Sequence, residues 1–204
     1  MFPALVTLAV TLARLAGELY NGSKALFNPQ QGGAWAIVGI VWLVPIFGAY
    51  FGFRLAREGD RPAGIARGLV IGILGAMVFV AGFFLYQKVL QNFTGVILMW
   101  TLAALAGLLQ IFVWRRLFKV LAAYAYSARV PVAIVMLAAT FKNWPSHYNA
   151  NIPGSSPWTG FLLFGFIPQL IWWASFTIVL GTIAGVISAA LTKASGGSVP
   201  SSGV

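Results

Sequence analysis

Long apolar runs separated by short polar stretches organise this chain, at about residues 2–20, 33–56, 64–86, 94–114, 117–141 and 159–191. A helix crossing the hydrocarbon core of a bilayer needs about 20 apolar residues at about 1.5 Å rise each. Each run is close to that length or exceeds it. None alternates with the period of two expected of a membrane β-barrel strand. The pattern therefore predicts an all-α, polytopic transmembrane helical bundle: one domain over residues 1–192, with six spans. Five spans is the alternative, because the first run carries Arg14 and Glu18. Four residues apart, they can pair on one helix face and lower the cost of either charge. Otherwise that run lies flat in the interface.

Proline sharpens the boundaries. Pro45 lies inside the second run and predicts a kink there, because its ring frees the carbonyl of Val41. The sixth run is too long for one perpendicular span. Pro168 should break or bend it, leaving Gln169 to Leu191 as the spanning part. The tail, residues 193–204, is rich in Ser and Gly and should be a disordered cytoplasmic segment.

Composition narrows the class. The chain is 60% apolar and only 8% charged, with a mean hydropathy of +0.88. A soluble domain carries about a quarter charged residues, so a water-soluble fold is excluded. The net charge of +10 would suggest nucleic acid in a soluble protein. Here the basic residues sit mostly in short loops, the pattern of loops facing anionic lipid, and no nucleic-acid partner is expected. With six spans, one face holds Arg54, Arg57, Arg61, Arg67, Arg115, Arg116, Lys119 and Lys193; the other holds Lys24, Lys88 and Lys142. The richer face, with both termini, is expected to be cytoplasmic. Tyr20, Trp35, Tyr86, Trp144, Tyr148 and Trp158 fall at the opposite boundary, where amphipathic rings anchor. Met1 has no basic stretch before its apolar run, so no cleaved signal peptide is expected.

Several chemistries lack their parts. There is no Cys and one His, His147. Disulfides, thiolate metal sites and bis-His haem ligation are thereby excluded, and no metal or cofactor is expected. No His-Glu-x-x-His and no phosphate-binding Gly-x4-Gly-Lys-Ser/Thr occurs. An enzyme is disfavoured.

Small residues recur at intervals of four: Gly48 and Gly52; Gly64, Gly68 and Gly72; Gly181 and Gly185. Such spacings let helix backbones approach closely, either inside the bundle or at a dimer seam. Arg129 is the most informative charge, deep in the fifth run and two residues before Pro131. Three readings stay open for it. The guanidinium could bond freed carbonyls, that of Ser127 among them, with Tyr124 and Tyr126 near, or reach towards an interface. It could bind an anionic lipid headgroup or solute. It could also mark the true membrane entry, with residues 117–129 in the interface. Pro168 and Gln169 make a similar polar break, to which Gln110, Ser175, Thr177 and Ser188 could add polar groups. His147 and Tyr148 lie in the longest loop as a further candidate, though without an acid in that loop. Asn21-Gly22-Ser23 and Asn92-Phe93-Thr94 match glycosylation acceptors.

The stretch Ala123 to Met136, His147-Tyr148, and Phe166 to Trp173 with Phe176-Thr177 resembles a group of small, uncharacterised bacterial inner-membrane proteins. The resemblance implies a multi-pass protein of the bacterial cytoplasmic membrane and supplies no activity. The leading expectation is a non-enzymatic membrane component that binds lipid, an anionic lipid included, or packs against another membrane protein or a second copy. The alternative is a small-solute transporter or channel built on the fifth and sixth spans.

Overall fold

The computed structural model describes residues 2–30 and 36–192, and it is all-helical, with no strand among them. The expected disordered tail and Trp35 lie outside the described residues. The helices are α1 (Phe2–Leu19), α2 (Leu43–Arg57), α3 (Ile65–Lys88) and α4 (Phe93–Leu109), the last continued by a 3-10 turn at Gln110–Phe112; α5 (Arg115–Phe141) and α6 (Pro157–Leu191) follow. Five are long and apolar enough to cross a membrane; α2, at 15 residues, is not.

The prolines behave differently from their sequence expectation. The second run becomes helical only at Leu43. Before it, Ile37 and Val38 donate their backbone N–H groups to Ala25 and Leu26, tying residues 36–42 to the preceding loop. Pro45 therefore falls in the first turn of α2, where an N–H has no intrahelical partner in any case, and no kink is called for. Pro131 lies inside α5, which continues unbroken to Phe141, so residues 117–129 belong to one helix with the rest of the run. Nor does α6 end at Pro168. It passes through in helical conformation, flanked by the π-helical stretches Phe161–Phe166 and Gln169–Trp173. The wider i→i+5 turns accommodate the missing donor and the ring without ending the helix.

Helix α3 shows the distribution that runs through the molecule. Its inward face is Gly68, Gly72, Gly75, Phe79 and Gly82. Its exposed face carries Val70, Ile73, Leu74, Met77, Val80 and Phe84. In water the large apolar residues would be inside. The reverse arrangement suits helices whose backbones pack closely and whose surroundings are themselves apolar.

Helix α6 is central and packs against α2, α3, α4 and α5. Its contact with α2 is backbone on backbone. A Cβ on Gly48 would strike the backbone of Gly181, and one on Gly52 that of Gly185. Since both numbers rise together, α2 and α6 run parallel. Gly68 faces Val113 and Val186, and Gly72 faces Ile183. Gly64 stands apart at the N-cap of α3, where a Cβ would meet only the Arg67 Cβ, at an ordinary contact distance of 3.8 Å.

Polar contacts define the two ends. At one, Arg61 donates to the carbonyls of Ala189 and Thr192. Arg116 pairs there with Glu58 at 3.1 Å and Asp60 at 3.5 Å, and the Trp114 indole N–H donates to Asp60. At the other end, the loop between α5 and α6 meets the end of α1. Asn92 caps α4 at this end, its Oδ1 accepting from the Gly95 N–H at 3.0 Å.

Candidate functional site: a buried charged cavity

The loop between α5 and α6 is fixed by its own amides. Asn151 donates to the carbonyl of Thr140, Thr140 Oγ1 accepts from the Ala150 N–H, and Asn149 donates to the carbonyl of Trp144. This folds Ser146, His147 and Tyr148 inward onto α1.

There Glu18 receives them. Its side chain is fully buried. Oε1 accepts from Arg14 Nε at 2.9 Å and meets His147 Nδ1 at 2.6 Å. Oε2 accepts from Ser146 Oγ at 2.7 Å and the His147 backbone N–H at 3.1 Å. The carboxylate is thus saturated with donors, as a buried charge requires. The i,i+4 spacing of Arg14 and Glu18 exposed the first of these contacts to sequence reasoning. The contact with His147 spans 129 positions and left no local signal. The one available hint was that Glu18 is the only acid in any apolar run.

Burial pushes the His147 imidazole below its ordinary pKa; the hydrogen bond it donates to Glu18 opposes this, and the Arg14 charge adds to the lowering. The lowering favours the neutral ring. With Glu18 accepting at Nδ1–H, Nε2 carries the lone pair. Burial also raises the Tyr148 phenol to about 12, so it remains an O–H donor, directed at the carbonyl of Thr11. Tyr148 is 4% exposed and packs its ring on His147; it is not an interfacial anchor.

Arg129 approaches from α5 and is 3% exposed. Its Nη2 donates to Thr177 Oγ1 at 3.3 Å, and Thr177 in turn donates to the carbonyl of Trp173. The guanidinium lies 5.2 Å from the centre of the Trp173 ring. Among the described residues no carboxylate lies within ion-pair distance of it.

These groups enclose a cavity of about 480 Å³. Arg14, Arg129, His147, Tyr148 and Gln169, together with Asn149 and Asn151, supply its polar lining. Ile40, Val41, Val132, Met136, Phe164 and Trp173 supply apolar wall. Gln169 is 7% exposed; its Nε2 contacts the Met136 sulfur at 3.4 Å, while its Oε1 has no hydrogen-bond partner. The π-helical turns on either side of Pro168 carry Phe164, Gln169 and Trp173 to the cavity.

Of the residues singled out by sequence, Arg129, His147, Tyr148 and Gln169 meet here. Tyr126 and Ser127 do not: both are exposed on the outside of α5. Gln110 is buried elsewhere, between α3 and α4, beside Gly75. Residues absent from the sequence candidates are Arg14 and Glu18, together with the apolar wall.

Compared with protein-family models, curated proteins and solved structures, the chain has no significant match in any of the three.

Proposed function

We propose that this protein is a multi-pass membrane protein whose cavity binds an anionic amphiphile, without catalysing its conversion. Arg129 carries the reading. It is a buried guanidinium with no carboxylate partner among the described residues, and it faces a cavity whose rim includes exposed Val41 and Phe164. A buried cation of this kind is expensive unless an anion comes to it. The volume suits the head and the first carbons of an acyl chain, within the range of about 300–1,000 Å³ of small-molecule sites. Apolar residues at the rim give the chain somewhere to lie.

The membrane setting is supported by the five long apolar helices and by their exposed large apolar faces. A sixth passage through α2 is part of this reading: although it has only 15 residues, it packs parallel to α6, backbone on backbone. The basic end gathers Arg54, Arg57, Arg61, Arg67, Arg115, Arg116 and Lys119, which favours a cytoplasmic location for it in a bacterial inner membrane. Binding is favoured over conduction because Leu117, Leu121, Ala125 and Ile178 fill the interior between Arg129 and the basic end.

Native mass spectrometry of the gently extracted protein tests the reading. The natural chain should retain an anionic lipid, and Arg129→Gln should lose it by about tenfold or more while staying folded. Equal retention by natural chain and variant would defeat the proposal.

A further inference from the structure

The cavity holds more than a cation. His147 and Gln169 both line it, and each keeps an acceptor with no hydrogen bond from a described residue: Gln169 Oε1, which is buried, and Nε2 of the partly exposed His147 ring, whose Nδ1 faces Glu18. The two atoms arise independently. Nε2 is left over because Glu18 holds Nδ1 of the same ring at 2.6 Å. Oε1 is left over because the Gln169 amide spends its donor on the Met136 sulfur. A phosphate or carboxylate oxygen brings no hydrogen and would satisfy neither acceptor. For the buried Gln169 Oε1 the missing donor carries a desolvation penalty, and His147 Nε2 offers a second acceptor beside it. What fits both halves of the site is an anionic oxygen group with hydroxyls beside it.

We propose that the cavity is selective for a hydroxyl-bearing phosphate ester, with Arg129 taking the phosphate and His147 Nε2 and Gln169 Oε1 accepting from the hydroxyls. This rests on the anion-binding role of Arg129 and adds what the ligand must carry besides charge. Two sources share the chemistry, the polyol headgroup of a phospholipid and a free polyol phosphate. Glu18 is a positioning residue here, since it fixes which ring nitrogen is left to accept.

The test uses the full chain, stripped of lipid in detergent, and three probes. Phosphatidylglycerol carries phosphate, hydroxyls and acyl chains. Phosphatidylmethanol has the same charge and chains but no hydroxyls. Glycerol 3-phosphate has hydroxyls and no chains. The natural chain should bind phosphatidylglycerol at least about tenfold tighter than phosphatidylmethanol, as one or two hydrogen bonds would give. Two variants should bring that ratio towards one by weakening phosphatidylglycerol binding more than phosphatidylmethanol binding. His147→Asn keeps an amide N–H for Glu18 and removes the second ring nitrogen. Gln169→Leu removes an unsatisfied buried carbonyl, so it should fold at least as well as the natural chain. Glycerol 3-phosphate binding that depends on the same two residues would assign a soluble ligand; its failure beside tight phosphatidylglycerol binding would assign a lipid. A ratio of one in the natural chain, with binding still lost in Arg129→Gln, would overturn the hydroxyl proposal and leave the anion site standing. If no probe binds in an Arg129-dependent way, both fall.

Discussion

At the scale of single residues, the chemistry concentrates on Glu18. Its four donors come from α1 and the loop between α5 and α6. Glu18→Ala would leave the largely buried Arg14 guanidinium without its carboxylate and release the loop. The expected loss is about 3–5 kcal/mol, read by denaturant unfolding of the detergent-solubilised protein. A change under about 1 kcal/mol would mean that the loop is held otherwise. His147 adds a pH dependence. Its folded-state pKa is lowered, chiefly by burial, so below its ordinary value of about 6.5 the unfolded chain binds more protons than the folded one. Stability therefore falls as pH drops through the window below about 6.5, and it is recovered above it. Melting curves between about pH 7.5 and pH 5 should show the decline, and His147→Asn should flatten it. A natural protein whose melting point rose on acidification would contradict the assignment.

At the scale of elements, glycine decides which helices touch. On α2 and α6 the four glycines Gly48, Gly52, Gly181 and Gly185 lie where a side chain would collide with backbone or with Leu117 and Leu121. Gly48→Leu should separate the two helices and cost several kcal/mol, more than the roughly 1–3 typical of overpacking, because backbone cannot move aside as a side chain can. Gly64→Ala is the control. With only an ordinary contact to the Arg67 Cβ at its N-cap position, it should change stability by no more than about 0.5 kcal/mol. Size-exclusion profiles and unfolding midpoints in one detergent would compare them, and equal behaviour would remove the argument. The spacing of four was visible in the sequence for all seven positions. Which members met another helix was not, since that depends on where the partner helix lies. The prolines teach the same lesson. Their effect on a helix follows from their place relative to its first turn and from neighbouring π turns, and neither is written in a hydropathy profile.

At the scale of the whole molecule, two chemically distinct ends emerge, and their separation is open to a direct measurement. The chain has no Cys, so single cysteines can be introduced cleanly. Ser155→Cys lies in the loop between α5 and α6, and Lys119→Cys lies near the start of α5; both positions are exposed. A membrane-impermeant maleimide applied to intact cells should label the first and reach the second only after permeabilisation. Labelling of both from outside would refute the two-ended arrangement, and the reverse pattern would invert the orientation.

The sequence by itself determined the helical class, the long apolar rods and the grouping of basic residues. These follow from local quantities, namely hydropathy over about 20 residues and charge in the loops between them. It also marked Arg129, His147, Tyr148 and Gln169 one by one, each as a polar group in an unusual place. Only the tertiary structure decided that these four share a cavity, that Glu18 from the first helix holds the histidine, and that Tyr126 and Ser127 face outward. The reason is separation along the chain. Hydrogen bonds between α1 and a loop more than a hundred residues away depend on how the rods are set side by side. That packing is chosen by the glycine contacts and the buried charges acting together, not by any single stretch of residues.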